Sequence, residues 1–270
     1  MKNPKTNIKS TGVITFCSGK GGVGKSVITA NTASALGMHS SVLVLDSVTD
    51  LPNQHIIFGV EPPIRLMSVL SGHVMVESAA FQINKNVSLL VDSPLEVGEE
   101  NNSVLELTDV VADLKFNSEF DYLIIDTHSG ISDQLVEFCY MSDLVVVLIT
   151  DEPTSLLDAY GLVKVLVNFI DSKKIVLLVN NVIDSEDAEE ISEKLNLATT
   201  KFLNMNLEVL GFVPYSRNVR KSIQRQELLT LSNKDDDATK AIMSIANKIH
   251  TKYFKDININ TVDFELMKAL

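Results

Sequence analysis

The chain is short of cysteine, of positive charge and of long apolar runs, and each shortage removes a class of function. Its two cysteines, Cys17 and Cys139, stand far apart in 270 residues and neither belongs to a C-x-x-C pair. That spacing gives no zinc knuckle and no disulfide framework, so two reduced thiols in a cytoplasmic protein are expected. Lys and Arg number 23 against 35 Asp and Glu, for a formal net charge of -12. A general nucleic-acid binder needs a basic surface to meet phosphates, so this balance argues against DNA as a partner. No apolar run approaches the roughly 20 residues that a membrane-spanning helix needs. The opening MKNPKTNIKST holds no apolar segment of a secretory signal. The expected location is the cytoplasm, with attachment at the inner membrane limited to peripheral contact.

What is present is an ordinary globular balance, 45% hydrophobic and 21% charged, in a length that suits one large core. Short runs rich in Val, Ile and Leu occupy 13–16, 41–45, 87–91, 122–125, 144–149, 175–179 and 209–213. They read as buried strands. Helical spacing fills 26–36, 131–141, 155–170 and 187–195. The alternation predicts an α/β fold, a mostly parallel central sheet with helices on both faces and ligands at the strand C-termini. Residues 13–255 read as one domain, between a short N-terminal tail (1–12) and a C-terminal tail (256–270). After a polar break at 233–237, Ile242, Ile245, Ala246, Ile249 and Tyr253 share one helical stripe, the pattern of a final docked helix. Val262, Phe264, Leu266, Met267 and Leu270 give the C-terminal tail the makings of a short amphipathic segment.

One motif carries chemistry. Gly19-Lys20-Gly21-Gly22-Val23-Gly24-Lys25-Ser26 fits G-x-x-x-x-G-K-[ST], and it follows a predicted strand and opens a predicted helix, as a phosphate loop must. The glycines let the backbone turn tightly and aim N–H groups at phosphate oxygens, and the helix dipole adds to the attraction. Lys25 reaches β- and γ-phosphates in such loops, and the Ser26 hydroxyl ligates Mg²⁺. The run Tyr122-Leu123-Ile124-Ile125 ends in Asp126, a carboxylate placed to hold Mg²⁺ beside that loop.

The loop with its early Lys20 resembles the deviant phosphate loop of the MinD/ParA branch of P-loop ATPases. The resemblance implies ATP and Mg²⁺ as ligands, an ATP-bound homodimer, and Lys20 as the contact to the partner's nucleotide. It implies catalytic roles for Lys20, Lys25, Asp46 and Asp126, and metal binding by Ser26 and Asp126. The nucleotide would lie on Gly19 through Val27, with Asn180 at the adenine edge and Pro214 packing near the base. Asn181 stands as an alternative to Asn180. Asp126-Thr127-His128-Ser129-Gly130 matches the family's Asp-x-x-x-Gly. Thr150 through Tyr160 and Pro214 through Lys221 resemble motifs of the flagellar-number regulators called FlhG, FleN or YlxH. That branch implies a switch governing the number or placement of a flagellum or division site, with partners in that machinery. The resemblance spans roughly residues 12 to 255.

Three departures qualify it. The family's D-x-D segment reads Asp46-Ser47-Val48, so the second, water-orienting aspartate is a valine. Valine accepts no hydrogen bond, and slow hydrolysis is expected, or a degenerate nucleotide-binding scaffold; Asp50 would substitute only in a remodelled loop. No D-Q-A-x-x-L-R segment precedes Val13. The last ten residues lack a basic face for anionic lipids, although 201–255 carry ten Lys or Arg against five Asp or Glu, read first as a solvated face. DNA partitioning and iron–sulfur work are disfavoured by charge and by the unpaired cysteines.

Overall fold

Runs of β-branched and leucine side chains bounded by polar residues become strands covered on both faces. In a computed structural model, residues 10–92 and 104–255 are described. The expected amphipathic segment within 256–270, like residues 1–9 of the N-terminal tail, lies outside them. The strands are β1 (Gly12–Cys17), β2 (Val42–Asp46), β3 (Phe81–Gln82), β4 (Val87–Leu90), β5 (Tyr122–Asp126), β6 (Leu144–Ile149), β7 (Ile175–Val182) and β8 (Glu208–Pro214). They form one sheet in the order β3-β4-β2-β5-β1-β6-β7-β8. Every neighbouring pair is parallel except β3 on β4. The mostly parallel sheet is the one the sequence predicts. The edge strand β3 is new: two residues hold no readable periodicity.

The helices are α1 (Lys25–Leu36), α2 (Gln54–Phe58), α3 (Leu66–Leu70), α4 (Val76–Ala79), α5 (Leu107–Asn117), α6 (Asp133–Met141), α7 (Pro153–Leu166), α8 (Ser185–Leu203), α9 (Arg217–Arg225), α10 (Leu229–Ser232) and α11 (Asp237–Lys248). Alternation along the strands assigns the two layers. Ile14 and Phe16 of β1 face a core with Ile28 and Ala33 of α1 and Ile242 and Ile245 of α11. Val13 faces the opposite layer, where Val110, Val111 and Leu114 of α5 pack. Cys17, on that same side, meets Leu162 and Val163 of α7. Each such buried side chain contributes on the order of 1.5–3 kcal/mol.

Helix α1 shows why a phosphate-binding helix carries little amphipathic signal. Ten of its twelve residues are buried, because the sheet, α10 and α11 surround it. A helix enclosed on all sides needs no polar stripe. Its far end is tied down by Asn31, whose Oδ1 accepts from the backbone N–H of Thr230 at 3.0 Å.

Candidate nucleotide site

Strand register brings the site together. Asp46 of β2 lies beside Asp126 of β5, and Phe16 of β1 lies on the other side of Asp126. The three following loops therefore leave the same sheet edge side by side, where α/β sheets bind ligands. Residues 18–24 form the loop into α1. Gly24 has φ +87, and a Cβ there would stand 2.5 Å from the Asn180 amide nitrogen, so both torsion and space demand glycine. Gly19 backs onto α7, where a Cβ would meet the Asp158 carbonyl at 2.4 Å. Helix α1 begins at Lys25 with no side-chain cap, which leaves its first N–H groups turned toward the loop.

The two lysines differ. Lys25 is buried; its Nζ donates to Asp126 Oδ1 at 2.7 Å and to the Thr127 carbonyl. Lys20 is partly exposed; its Nζ meets the Glu152 carboxylate and donates to Thr154 Oγ1, the latter at 2.8 Å. Glu152 precedes α7, which starts on Pro153, a residue suited to the first helical turn. Thr29 Oγ1 adds a long contact to Asp126 Oδ1 at 3.4 Å.

Asp46 is fully buried and accepts from three backbone N–H groups, Val48 at 3.1 Å and Asn53 and Gln54 at 2.9 Å. Burial first, and then the neighbouring Asp126, push its carboxyl up to about 7 against those three hydrogen bonds. The buried Lys25 ammonium pairs with Asp126 alone of these two carboxylates. Val48 is buried at 9% exposure, and its side chain offers no polar atom to the site. Asp50 stands at the surface, its Oδ1 3.5 Å from His128 Nε2. The segment after β5 crosses the phosphate loop: Gly130 N–H donates to the Ser18 carbonyl at 2.9 Å.

A cavity of about 520 Å³ opens beside the loop, lined by Gly22, Gly24, Val27, Asn180, Asn181 and Pro214. Asn180 Nδ2 donates to the Val23 carbonyl at 2.8 Å. Asn181 is exposed, with φ 64. The wall also includes Asn31, which no motif marks, and Val219 and Arg220 of the matched segment Pro214 through Lys221. Glu152, the Lys20 partner, falls in the matched segment Thr150 through Tyr160, which by itself gives it no role. Gln54 was missed too. It is wholly buried, and its side-chain N–H₂ donates to the Ser26 carbonyl at 3.0 Å and to Asp126 Oδ2 at 2.8 Å.

Strand, glycine loop and helix, with a buried lysine against a strand-end aspartate, define a P-loop nucleotide-binding protein. The ParA family model, described as NUBPL iron-transfer P-loop NTPase, matches residues 9–250, and the chain belongs to that family. It is 29% identical to the antiactivator FleN of Pseudomonas aeruginosa, over 88% of this chain and 85% of that protein. Identity to the flagellum site-determining protein YlxH of Helicobacter pylori is also 29%, over 93% and 87%. The septum site-determining protein MinD of Pyrococcus horikoshii, solved with Mg-ADP, superposes with a TM-score of 0.74 at 22% identity, covering 88% of this chain and 96% of that one. Here both cysteines are free and buried, and no group of three His, Cys, Asp or Glu residues among the described residues is arranged to hold a metal ion. Among the described residues, no helix is long and apolar enough to cross a membrane.

Proposed function

We propose that this protein is an ATP-binding switch that forms a homodimer with Mg-ATP, hydrolyses it slowly, and regulates the number or placement of a flagellum or division site. The observation that carries this reading is the pair of loop lysines. Lys25 sits against Asp126 at the start of α1, and Lys20 stands at the surface. The residues fit the ligand chemically. Lys25 and the N–H groups of the loop supply donors for phosphates, and the Ser26 hydroxyl and Asp126 carboxylate supply oxygens for Mg²⁺. The cavity beside Asn180 and Pro214 is lined by apolar carbons and amides that suit an adenine. When bound, Mg²⁺ neutralises phosphate charge; Ser26 and Asp126 would hold it.

Hydrolysis joins a water oxygen to the γ-phosphorus as the bond to the bridging oxygen breaks. The bond's electron pair stays on ADP; one water proton remains on the released phosphate and the other passes to solvent. This chain's residues orient the phosphates, while position 48 offers the water no acceptor. The names of FleN and YlxH favour a flagellar role, with partners in flagellar or division machinery and peripheral contact at the inner membrane. A second reading, a nucleotide-binding scaffold without significant turnover, is favoured by buried Val48. Phosphate release, measured with and without membrane vesicles, separates the two: turnover above background supports the switch, and none with either supports the scaffold.

A further inference from the structure

Gln54 opens α2 directly after the segment that departs from the family pattern. Its backbone N–H donates to Asp46 Oδ2, and its side-chain nitrogen donates to the Ser26 carbonyl and to Asp126 Oδ2. One residue therefore touches both strand-end aspartates and the helix that carries the loop lysine. Its other side-chain atom, Oε1, is buried and accepts no hydrogen bond. A buried amide oxygen is costly to leave without a donor. An all-structural role explains the nitrogen and leaves the oxygen unexplained.

The two oxygens of Asp126 have different partners. Oδ1 takes the Lys25 ammonium and Oδ2 takes the Gln54 amide. A phosphate-loop lysine serves the β- and γ-phosphates, so Lys25 cannot remain the full counter-charge of Asp126 once nucleotide is bound. Gln54 does not face that competition. We propose that Gln54 is a positioning residue of the metal–nucleotide site: it holds Asp126 when Lys25 turns to the phosphates, and its Oε1 accepts from a water bound to Mg²⁺. The inference rests on the nucleotide-binding reading above. Outer-shell partners of this kind fix the orientation of the groups that meet a metal, and losing one typically costs about 10–100-fold in metal affinity.

The test is titration calorimetry of ATP into the full chain, with Mg²⁺ and separately with EDTA. It compares wild type with Gln54→Leu and Gln54→Met; the methionine variant keeps the length of the side chain. Both variants are expected to bind Mg-ATP about tenfold more weakly, with ATP affinity in EDTA changed by less than about twofold. A purely structural glutamine would lower both affinities together. Mg-ATP affinity within twofold of wild type in both variants, or equal losses with and without Mg²⁺, overturns the proposal. A wild type that binds ATP under neither condition overturns the nucleotide-binding reading with it.

Discussion

Two loops leave adjacent sheet positions at this site, and they are built to different ends. The loop after β1 keeps every group that phosphate binding asks for, with glycine where torsion and space require it and Lys25 buried against Asp126. The loop after β2 is tied to the two strand ends, with the Ser47 N–H and hydroxyl both donating to the Asp126 carbonyl at 2.9 Å. Asp46 accepts from Val48, Asn53 and Gln54, Val48 is buried, and Asp50 is drawn to the surface beside His128. The first loop serves ground-state binding. In the proposed function the second is where the water would be oriented, and Val48 offers it no acceptor. Interactions made only in the transition state can vanish without weakening binding, so in the proposed function the two loops would separate affinity from turnover.

The largest effect expected from breaking the first loop is that of Lys25→Ala. Calorimetry should show Mg-ATP affinity falling by at least about 100-fold, as when one partner of a buried charge pair is removed. Affinity equal to wild type would remove the phosphate-loop assignment. Next is Lys20→Ala, which should hold the protein monomeric by light scattering in Mg-ATP, while wild type shifts from monomer to dimer with Mg-ATP and not with ADP. A dimer indifferent to nucleotide and to Lys20 contradicts the switch.

The second loop is sharpened by Asp50→Ala. Because the Asp50–His128 contact is exposed, its removal should change turnover by less than about twofold, as for most surface pairs. A disabled enzyme would mean that this pair holds the water. The smallest effect is on stability. The Asp46 carboxyl is raised to about 7, so the folded state keeps a proton that the unfolded chain releases. Raising the pH from about 5 to 8 therefore costs stability. The melting temperature without nucleotide should fall by a few degrees across that window, and by less in Asp46→Asn.

Most of the sheet was legible because strands buried on both faces are continuous apolar runs; β6 was bounded to the residue. Apart from β4, read at 87–91, the region between β2 and β5 was not. There α2, α3 and α4 have five, five and four residues, too short to show a period, and their packing comes from the tertiary context. Helix α8 runs on to Leu203, eight residues past the expected end, because its exposed face carries no stop signal before Asn204. At the site, Lys20, Lys25 and Asp126 were readable because motif spacing encodes them. Gln54 was not, because a side chain reaching across to another loop leaves no local pattern; Glu152 fell in a matched motif, but its contact with Lys20 was not legible for the same reason.

In the proposed function, position 48 limits turnover and leaves binding intact. Steady-state phosphate release and calorimetric affinity, measured on wild type and Val48→Asp, test it most directly. Wild type is expected to release phosphate slowly, Val48→Asp faster by about tenfold or more, with Mg-ATP affinity within about twofold. A wild type that turns over ATP at a rate unchanged by Val48→Asp, and that is disabled by Asp50→Ala, would contradict it.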